Sequence, residues 1–258
     1  MPDYALSNQN NWEQKWNVEY YSGLDYLFSP EKKLLDEIKI RPGFSRMLDI
    51  GVGGGRTTRH FAQAVADYQA GDYSKQMVES CIRRFGAEFK NARFDFLDAR
   101  DLKQYETGMF DVVLFSFNGI DSVSHDDRLK AFREIRRVVK TGGIFLFSTH
   151  NILAIPDLYP FYFSLHPWRL FRSLYNFMMF RWINRAVLGC RSDNHLTLVD
   201  SRRFTIANYY VQPQEQLRQL ESCGFNGVQI MDMHGNTCPA DDPAMLKKNA
   251  WLHYWCQA

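Results

Sequence analysis

The chain has 258 residues, with 31 lysines and arginines against 29 aspartates and glutamates and a net charge of +2. That length suits one large α/β domain with insertions better than two small domains, and the near-balanced charge excludes a global electrostatic footprint for nucleic acid, so no nucleic-acid partner is expected. Five scattered cysteines without a C-x-x-C pair, an amino end lacking the basic and apolar stretches of an export signal, and no run of some eighteen apolar residues together predict a reduced, soluble, cytoplasmic protein with no metal site.

The first forty residues, with "NWEQKWNVEYYSGLDYLF" at their centre, are rich in aromatics and read as an amino-terminal helical cap over 1–40. From 41 to 258 the chain reads as the core, interrupted by an insertion at about 152–210. Its first half alternates short apolar runs with helical patterns, which predicts parallel βαβ units. "RMLDI" is the first strand, and the residues from Thr57 to Ala66 carry apolar positions at helical spacing. "DYQAGD" is the second strand, and "YSKQMVESCIRRFG" a helix that stops at Gly86. "RFDFLDA" is the third strand, and "FDVVLFSF" the fourth, apolar enough to be buried on both faces. "DDRLKAFREIRRVVKTGG" is an amphipathic helix with acids at its start and basic residues near its end. "IFLFSTH" is the fifth strand. After the insertion, "QPQEQLRQLESCGF" is a helix, "GVQIMDM" a sixth strand and "AWLHYWCQ" a seventh.

The turn after the first strand, "GVGGGR", decides which cofactor the sheet can hold. In an open parallel sheet ligands sit beyond the carboxyl ends of the strands, and glycine there lets a ligand approach the backbone. A dinucleotide fingerprint needs a third glycine where Arg56 or Thr58 stands, and a phosphate-binding P-loop needs a lysine that is absent. The pattern present is acid-x-G-x-G-x-G, as Asp49, Gly51, Gly53 and Gly55, followed by Asp72 at the end of the second strand.

These residues resemble the class I S-adenosylmethionine-dependent methyltransferases. The resemblance covers roughly 46–150 and 211–258, and it implies a Rossmann-like three-layer α/β sandwich with a mostly parallel seven-stranded sheet. It also implies that the turn from Gly51 through Val52 and Gly53 to Gly55 lies against the amino-acid part of the cofactor. Asp72 would then accept hydrogen bonds from both ribose hydroxyls, with Tyr73 beside it. Asp98 and Ala99, in "FLDARDL", would contact the adenine, and Phe115 would stand at the loop beneath the methyl donor. Tyr20 and Tyr21 of the cap would close over the cofactor as comparable segments do in that family, whereas Trp12 and Trp16 are expected to pack on the sheet edge. The product would be S-adenosylhomocysteine.

Methyl transfer from a sulfonium is an in-line displacement in which positioning does much of the work, and a base is needed for a hydroxyl acceptor. His150, directly after the fifth strand, is the candidate base, because its unperturbed pKa lies near neutrality. Asp121 is the second candidate catalytic residue. Asn118, Asn151, Arg203, Tyr209 and Tyr210 are candidate acceptor contacts, His125 is expected at a helix entry, and His195 has no evident partner.

The insertion segment "HPWRLFRSLYNFMMFRWINRAVLGCR" carries Arg169, Arg172, Arg181, Arg185 and Arg191, and no acid occurs between Leu158 and Ser192. It predicts an amphipathic helical lid whose wide apolar face packs on protein; a basic cover over an anionic substrate and a membrane-surface helix are the alternatives. The whole reads as an enzyme that methylates oxygen or nitrogen of a small molecule, with a sugar or secondary metabolite as the first expectation, working as a monomer or homodimer. A membrane-surface lipid or quinone methyltransferase and a non-catalytic cofactor-binding scaffold are the alternatives.

Overall fold

The structure, a computed structural model, describes residues 4–158, 160–189, 194–199 and 205–258. Strands β1 (Arg46–Ile50), β2 (Asp67–Asp72), β3 (Ala92–Phe96), β4 (Phe110–Phe115) and β5 (Val139–Asn151) run parallel in the order β3-β2-β1-β4-β5. β8 (Asn226–Met231) and β9 (Trp251–Gln257) complete this sheet, with β9 antiparallel between β5 and β8. These seven strands are the expected set. The insertion contributes two more, β6 (His195–Val199) and β7 (Ala207–Val211), an antiparallel pair joined to the end of β5 at His150 and Asn151. The lid is therefore not purely helical. "HLTLV" and "ANYYV" carry the β-branched and aromatic residues that suit a pleated surface.

Alternation along the strands builds the three layers. Leu48, Val113, Phe145 and Phe147 face α6 (His125–Val138) and α9 (Pro213–Ser222) through Phe132, Ile135 and Leu220. Met47, Val112, Leu114 and Leu146 face the other way, onto α3 (Ser29–Ile40), α4 (Thr58–Ala62) and α5 (Lys75–Phe85), through Leu34, Phe61 and Phe85. Every residue of β4 is buried, as its unbroken apolar run requires. Ser74 and Ser124 cap α5 and α6 by accepting from the amides of Met77 and Asp127, and Asp126 and Asp127 sit in the first turn of α6.

Two helices precede α3: α1 (Tyr4–Trp12) and α2 (Lys15–Ser22). The insertion holds α7 (Pro167–Ile183) and α8 (Arg185–Leu188), and α10 (Pro243–Lys247) precedes β9. Only Phe180 of α7 is fully buried, in a small cluster with Leu198 and Tyr210. The apolar face expected to pack on protein is open to solvent, with Trp168 at 65 % and Trp182 at 62 % exposure.

Candidate active site

The carboxyl ends of β1, β2, β4 and β5 open into a cavity of about 730 Å³, closed on one side by α1 and α2. That is the scale of a site for a molecule of nucleoside size plus an acceptor. Gly53 turns there with φ +54°, and a Cβ at this position would stand in open space beside the cavity. Gly54 serves a different contact. A Cβ there would lie 2.3 Å from the Ser22 nitrogen and 2.4 Å from the Tyr21 carbonyl carbon, so the second half of α2 rests directly on the turn.

Three carboxylates border the cavity in three different environments. Asp72 accepts from the Gly53 and Ser74 amides at 2.9 Å each, and burial pushes its pKa up to about 6. Asp49 is also raised to about 6 by burial, against the lowering effect of hydrogen bonds from Thr57 Oγ1 at 2.5 Å and Tyr68 OH at 2.7 Å. Asp98 is partly buried, but hydrogen bonds from the Arg100 side chain and amide outweigh that burial and hold its carboxyl below the usual range. Arg100 also reaches Asp127 at 3.0 Å.

At the β5 end, His150 is fixed from behind. Its amide and Nδ1 both lie 2.7 Å from Asp121 Oδ2. An ionised carboxylate only accepts, so Nδ1–H donates to Asp121 and Nε2 is left facing the other way. Asp121 is buried, and its other oxygen accepts from Arg128 at 2.5 Å and Thr149 Oγ1 at 2.6 Å. Arg128 lies wholly inside the protein and also donates to Thr149 Oγ1 and Gln216 Oε1. Beside Nε2 stands Asn118, whose Nδ2 is 3.4 Å away. Its Oδ1 is buried without a hydrogen-bond partner. Phe117 and Asn118 both have positive φ, 56° and 57°, an uncommon backbone for a bulky aromatic that brings both residues to the cavity wall.

A second buried pair joins the cap region to the turn. Arg56 makes a two-pronged contact with Glu31 of α3 at 2.6 and 2.7 Å and donates to the Tyr26 carbonyl at 2.7 Å and Ser116 Oγ at 2.9 Å. Glu31 also accepts from the Phe28 amide at 2.8 Å and from Ser116 Oγ. The Phe28 ring lies over the Arg56 guanidinium at 4.8 Å.

Of the residues expected at the cofactor, Asp49, Gly51, Val52, Gly53, Asp72, Tyr73, Asp98, Ala99, Phe115, Tyr20 and Tyr21 line the cavity, as do Asn118 and His150. Trp12 and Trp16 line it too, so the tryptophans do more than pack on an edge. Gly55 does not: its Cβ position points into the Phe85 ring, 2.4 Å away, so this glycine closes the turn onto the core. Asp121 stands behind His150 rather than in the cavity. Asn151 is buried and spends its side chain on the Leu246 and Asn249 carbonyls and the Leu153 amide, tying β5 to α10. Tyr209 hydrogen-bonds His125 Nδ1 at 2.7 Å and accepts from Gln219, away from the cavity. Tyr210 packs against His150 with ring centres 4.9 Å apart and supports it from the side. Arg203 lies outside the described residues. His195 stacks on His125 at 4.0 Å, the partner its sequence did not reveal.

A turn that offers bare backbone beside the buried carboxylate of Asp72, without the lysine of a P-loop, on a Rossmann-like sheet, leaves room for a nucleoside cofactor. Comparison with known proteins agrees. Residues 47–143 match the family described as "Methyltransferase domain". The chain is 27 % identical over 206 residues to the ubiquinone/menaquinone biosynthesis C-methyltransferase UbiE of Burkholderia vietnamiensis, covering 77 % of this chain and 74 % of that one. It is 31 % identical over 161 residues to the demethylmenaquinone methyltransferase of Beutenbergia cavernae, 61 % of this chain but only 55 % of the relative. In fold it resembles the solved S-adenosylmethionine-dependent methyltransferase of Clostridium acetobutylicum, with a TM-score of 0.60 at 14 % identity over 96 % of this chain and 98 % of that one. Residues 47–143 thus match a methyltransferase domain, on a fold shared with a solved S-adenosylmethionine-dependent methyltransferase. S-adenosylmethionine is the cofactor of that class, and the open space at Gly53 and the carboxylate of Asp72 suit its amino-acid part and its ribose.

Proposed function

We propose that this enzyme methylates a hydroxyl oxygen of a small molecule with a flat apolar framework, and that His150 is the general base. The observation that carries the proposal is the lock of His150 Nδ1 on Asp121, which turns Nε2 to the cavity, where its lone pair meets Asn118 Nδ2 at 3.4 Å, a long contact that a substrate hydroxyl would replace. A base favours oxygen over nitrogen, because a neutral amine attacks without losing its proton first. The wall beside Nε2 is aromatic: the Trp251 ring centre is 5.8 Å from that of His150 and 5.2 Å from that of Phe117. A planar acceptor suits that wall better than a sugar.

S-adenosylmethionine supplies a methyl carbon activated by its sulfonium. The chain's residues do the rest. The Gly51–Gly53 turn would seat the amino-acid part, Asp72 would accept from the ribose hydroxyls, and Asp98 with Ala99 would face the adenine, sharing Asp98 with Arg100. Asn118 Nδ2, beside Nε2, would donate to an oxygen of the acceptor molecule. His150 Nε2 would take the hydroxyl proton as the oxygen bonds to the methyl carbon, and Asp121, backed by Arg128, would hold the resulting imidazolium.

The name of one relative, a C-methyltransferase, favours a second reading, transfer to carbon, which on this chain we place at a ring carbon beside a hydroxyl. The same base would serve, since removing a phenolic proton makes the neighbouring carbon nucleophilic. The test is turnover of a panel of phenols, hydroquinones, sugars and amines with S-adenosylmethionine deuterated at the methyl group. Carbon NMR of the product then separates an O-methyl from a C-methyl group. Turnover confined to amines or sugars would overturn the proposal.

A further inference from the structure

We propose that α7 is a docking surface for anionic lipid bilayers, lying in the membrane plane with its solvent face down. Trp168, Phe171, Tyr175, Met178 and Trp182 recur at the three- and four-residue spacing that lines one side of a helix, and all five are exposed. Phe163 and Leu165, just before the helix, extend the same apolar surface at 74 % and 91 % exposure. Isolated exposed apolar residues are ordinary; a continuous stripe with tryptophan at each end is not.

Charge identifies the occupant. At roughly 100° per residue, Arg172 and Arg181 fall on opposite edges of the stripe, both exposed. Arg169 and Arg185 are exposed as well, and among the described residues none of these four arginines has a carboxylate partner within ion-pair distance. No acid occurs anywhere between Leu158 and Ser192. A second copy of the chain seated on this stripe would set arginine against arginine. A bilayer with anionic headgroups accepts both halves of the pattern at once, the apolar side chains at the acyl boundary and the guanidinium groups among the phosphates. The helix does not cross the bilayer: among the described residues no helix is long and apolar enough to do so.

The opposite face of α7 shows why the stripe is held outward. Phe180 packs on Leu198 and Tyr210, and Asn184 at the helix end exchanges hydrogen bonds with the Val199 amide and carbonyl at 2.9 and 3.0 Å. The helix is thus fixed to the β6–β7 pair, and through Tyr210 it abuts His150.

The test is co-sedimentation of the full chain with phosphatidylcholine vesicles, with and without phosphatidylglycerol. Binding to the anionic vesicles is expected, weakening as salt is raised. Arg172→Gln and Arg181→Gln should each reduce it roughly fivefold, and Phe171→Ser with Met178→Ser should abolish it. These side chains lie outside the cavity, so S-adenosylhomocysteine affinity should be unchanged and serves as the fold check. No binding of the folded chain to anionic vesicles at low salt, or binding that survives the Phe171/Met178 change, would overturn the proposal. A dimer seen by sedimentation equilibrium and dissolved by that same change would also overturn it, by giving the stripe to a second copy. Vesicle binding is read without turnover, so its failure leaves the acceptor proposal standing, and the reverse holds too.

Discussion

One carboxylate oxygen of Asp121 receives both the backbone N–H and the Nδ1–H of His150, each at 2.7 Å. The pair fixes position and tautomer together, which a base needs if its Nε2 is to meet a proton without reorganising. His150→Ala should lower kcat for a hydroxyl acceptor by about 10² to 10⁴ with S-adenosylhomocysteine affinity unchanged. Steady-state kinetics and calorimetric titration of the same preparation check this. A loss confined to KM would make His150 a binding residue instead. Asp121→Asn should also slow turnover, and it strips the counter-charge from a fully buried Arg128, a change that costs about 3–5 kcal/mol of stability. Thermal unfolding separates that part of the effect from the kinetic one.

Cofactor binding should depend on pH through Asp72. Its pKa is about 6 in the ligand-free protein because it is buried, and diol donors need its charged form. Lowering the pH from 7 to 5 therefore removes an acceptor, and affinity should fall by up to about tenfold per pH unit below 6. Asp72→Asn should flatten most of that slope and weaken binding at pH 7.5 by about 1.5–3 kcal/mol; any remaining slope belongs to Asp49, which shares the raised value. For folding the sign is opposite. Both carboxyls sit above their ordinary 3.8, so the folded state takes up protons between about pH 4 and 6, and the stability they contribute declines as pH rises through 6. Titration of S-adenosylhomocysteine across this range, in wild type and variant, reads the binding slope directly.

The core was legible because its signals are local. Strand runs, the glycine turn and the acids at strand ends sit within a few residues of one another, and the strands β1, β2 and β4 fall where alternation and apolarity put them. What stayed hidden depends on distant pairing. Arg128 lies on the same stripe of α6 as Ala131, Phe132 and Ile135, the one sign that a charged residue points inward, but two of its partners, Thr149 and Gln216, are 21 and 88 residues away. Arg56 served only to exclude a dinucleotide fingerprint, because Glu31 stands 25 residues away. Asn151 and Tyr209 follow the strand pattern of site residues, yet their side chains are consumed by α10 and by the His125–His195 stack. For α7, composition identified the amphipathic helix, but only the packing of Phe180 shows which side is left outside.

Gly54→Ala tests whether the cap must sit on the turn. The backbone at Gly54 does not require glycine, since its φ is not positive; the conflict is with Tyr21 and Ser22, 2.3 to 2.4 Å from the added carbon. Backbone cannot yield as a side-chain tip can, so α2 must lift, carrying Tyr20 and Tyr21 from the cavity wall. Overpacking of this kind costs about 1–3 kcal/mol. The expected result is weaker S-adenosylhomocysteine binding and faster proteolysis within residues 15–22. Unaltered affinity together with faster cleavage would mean that the cap closes for the acceptor alone.

The Arg56–Glu31 pair holds the other end of that cap to the sheet, and it does so where neither charge reaches bulk water: Glu31 is fully buried and the Arg56 side chain is 7 % exposed. Arg56→Met or Glu31→Gln alone leaves a buried charge without its partner and should cost about 3–5 kcal/mol. The double variant Arg56→Met, Glu31→Leu removes both charges and should recover much of that loss in denaturant unfolding. Cofactor affinity should follow a different course, because Arg56 lines the cavity itself and donates to Ser116, which lines it too. If the double variant regains stability but not S-adenosylhomocysteine affinity, the pair shapes the site. If both return together, the ion pair is a structural tie that an apolar contact replaces.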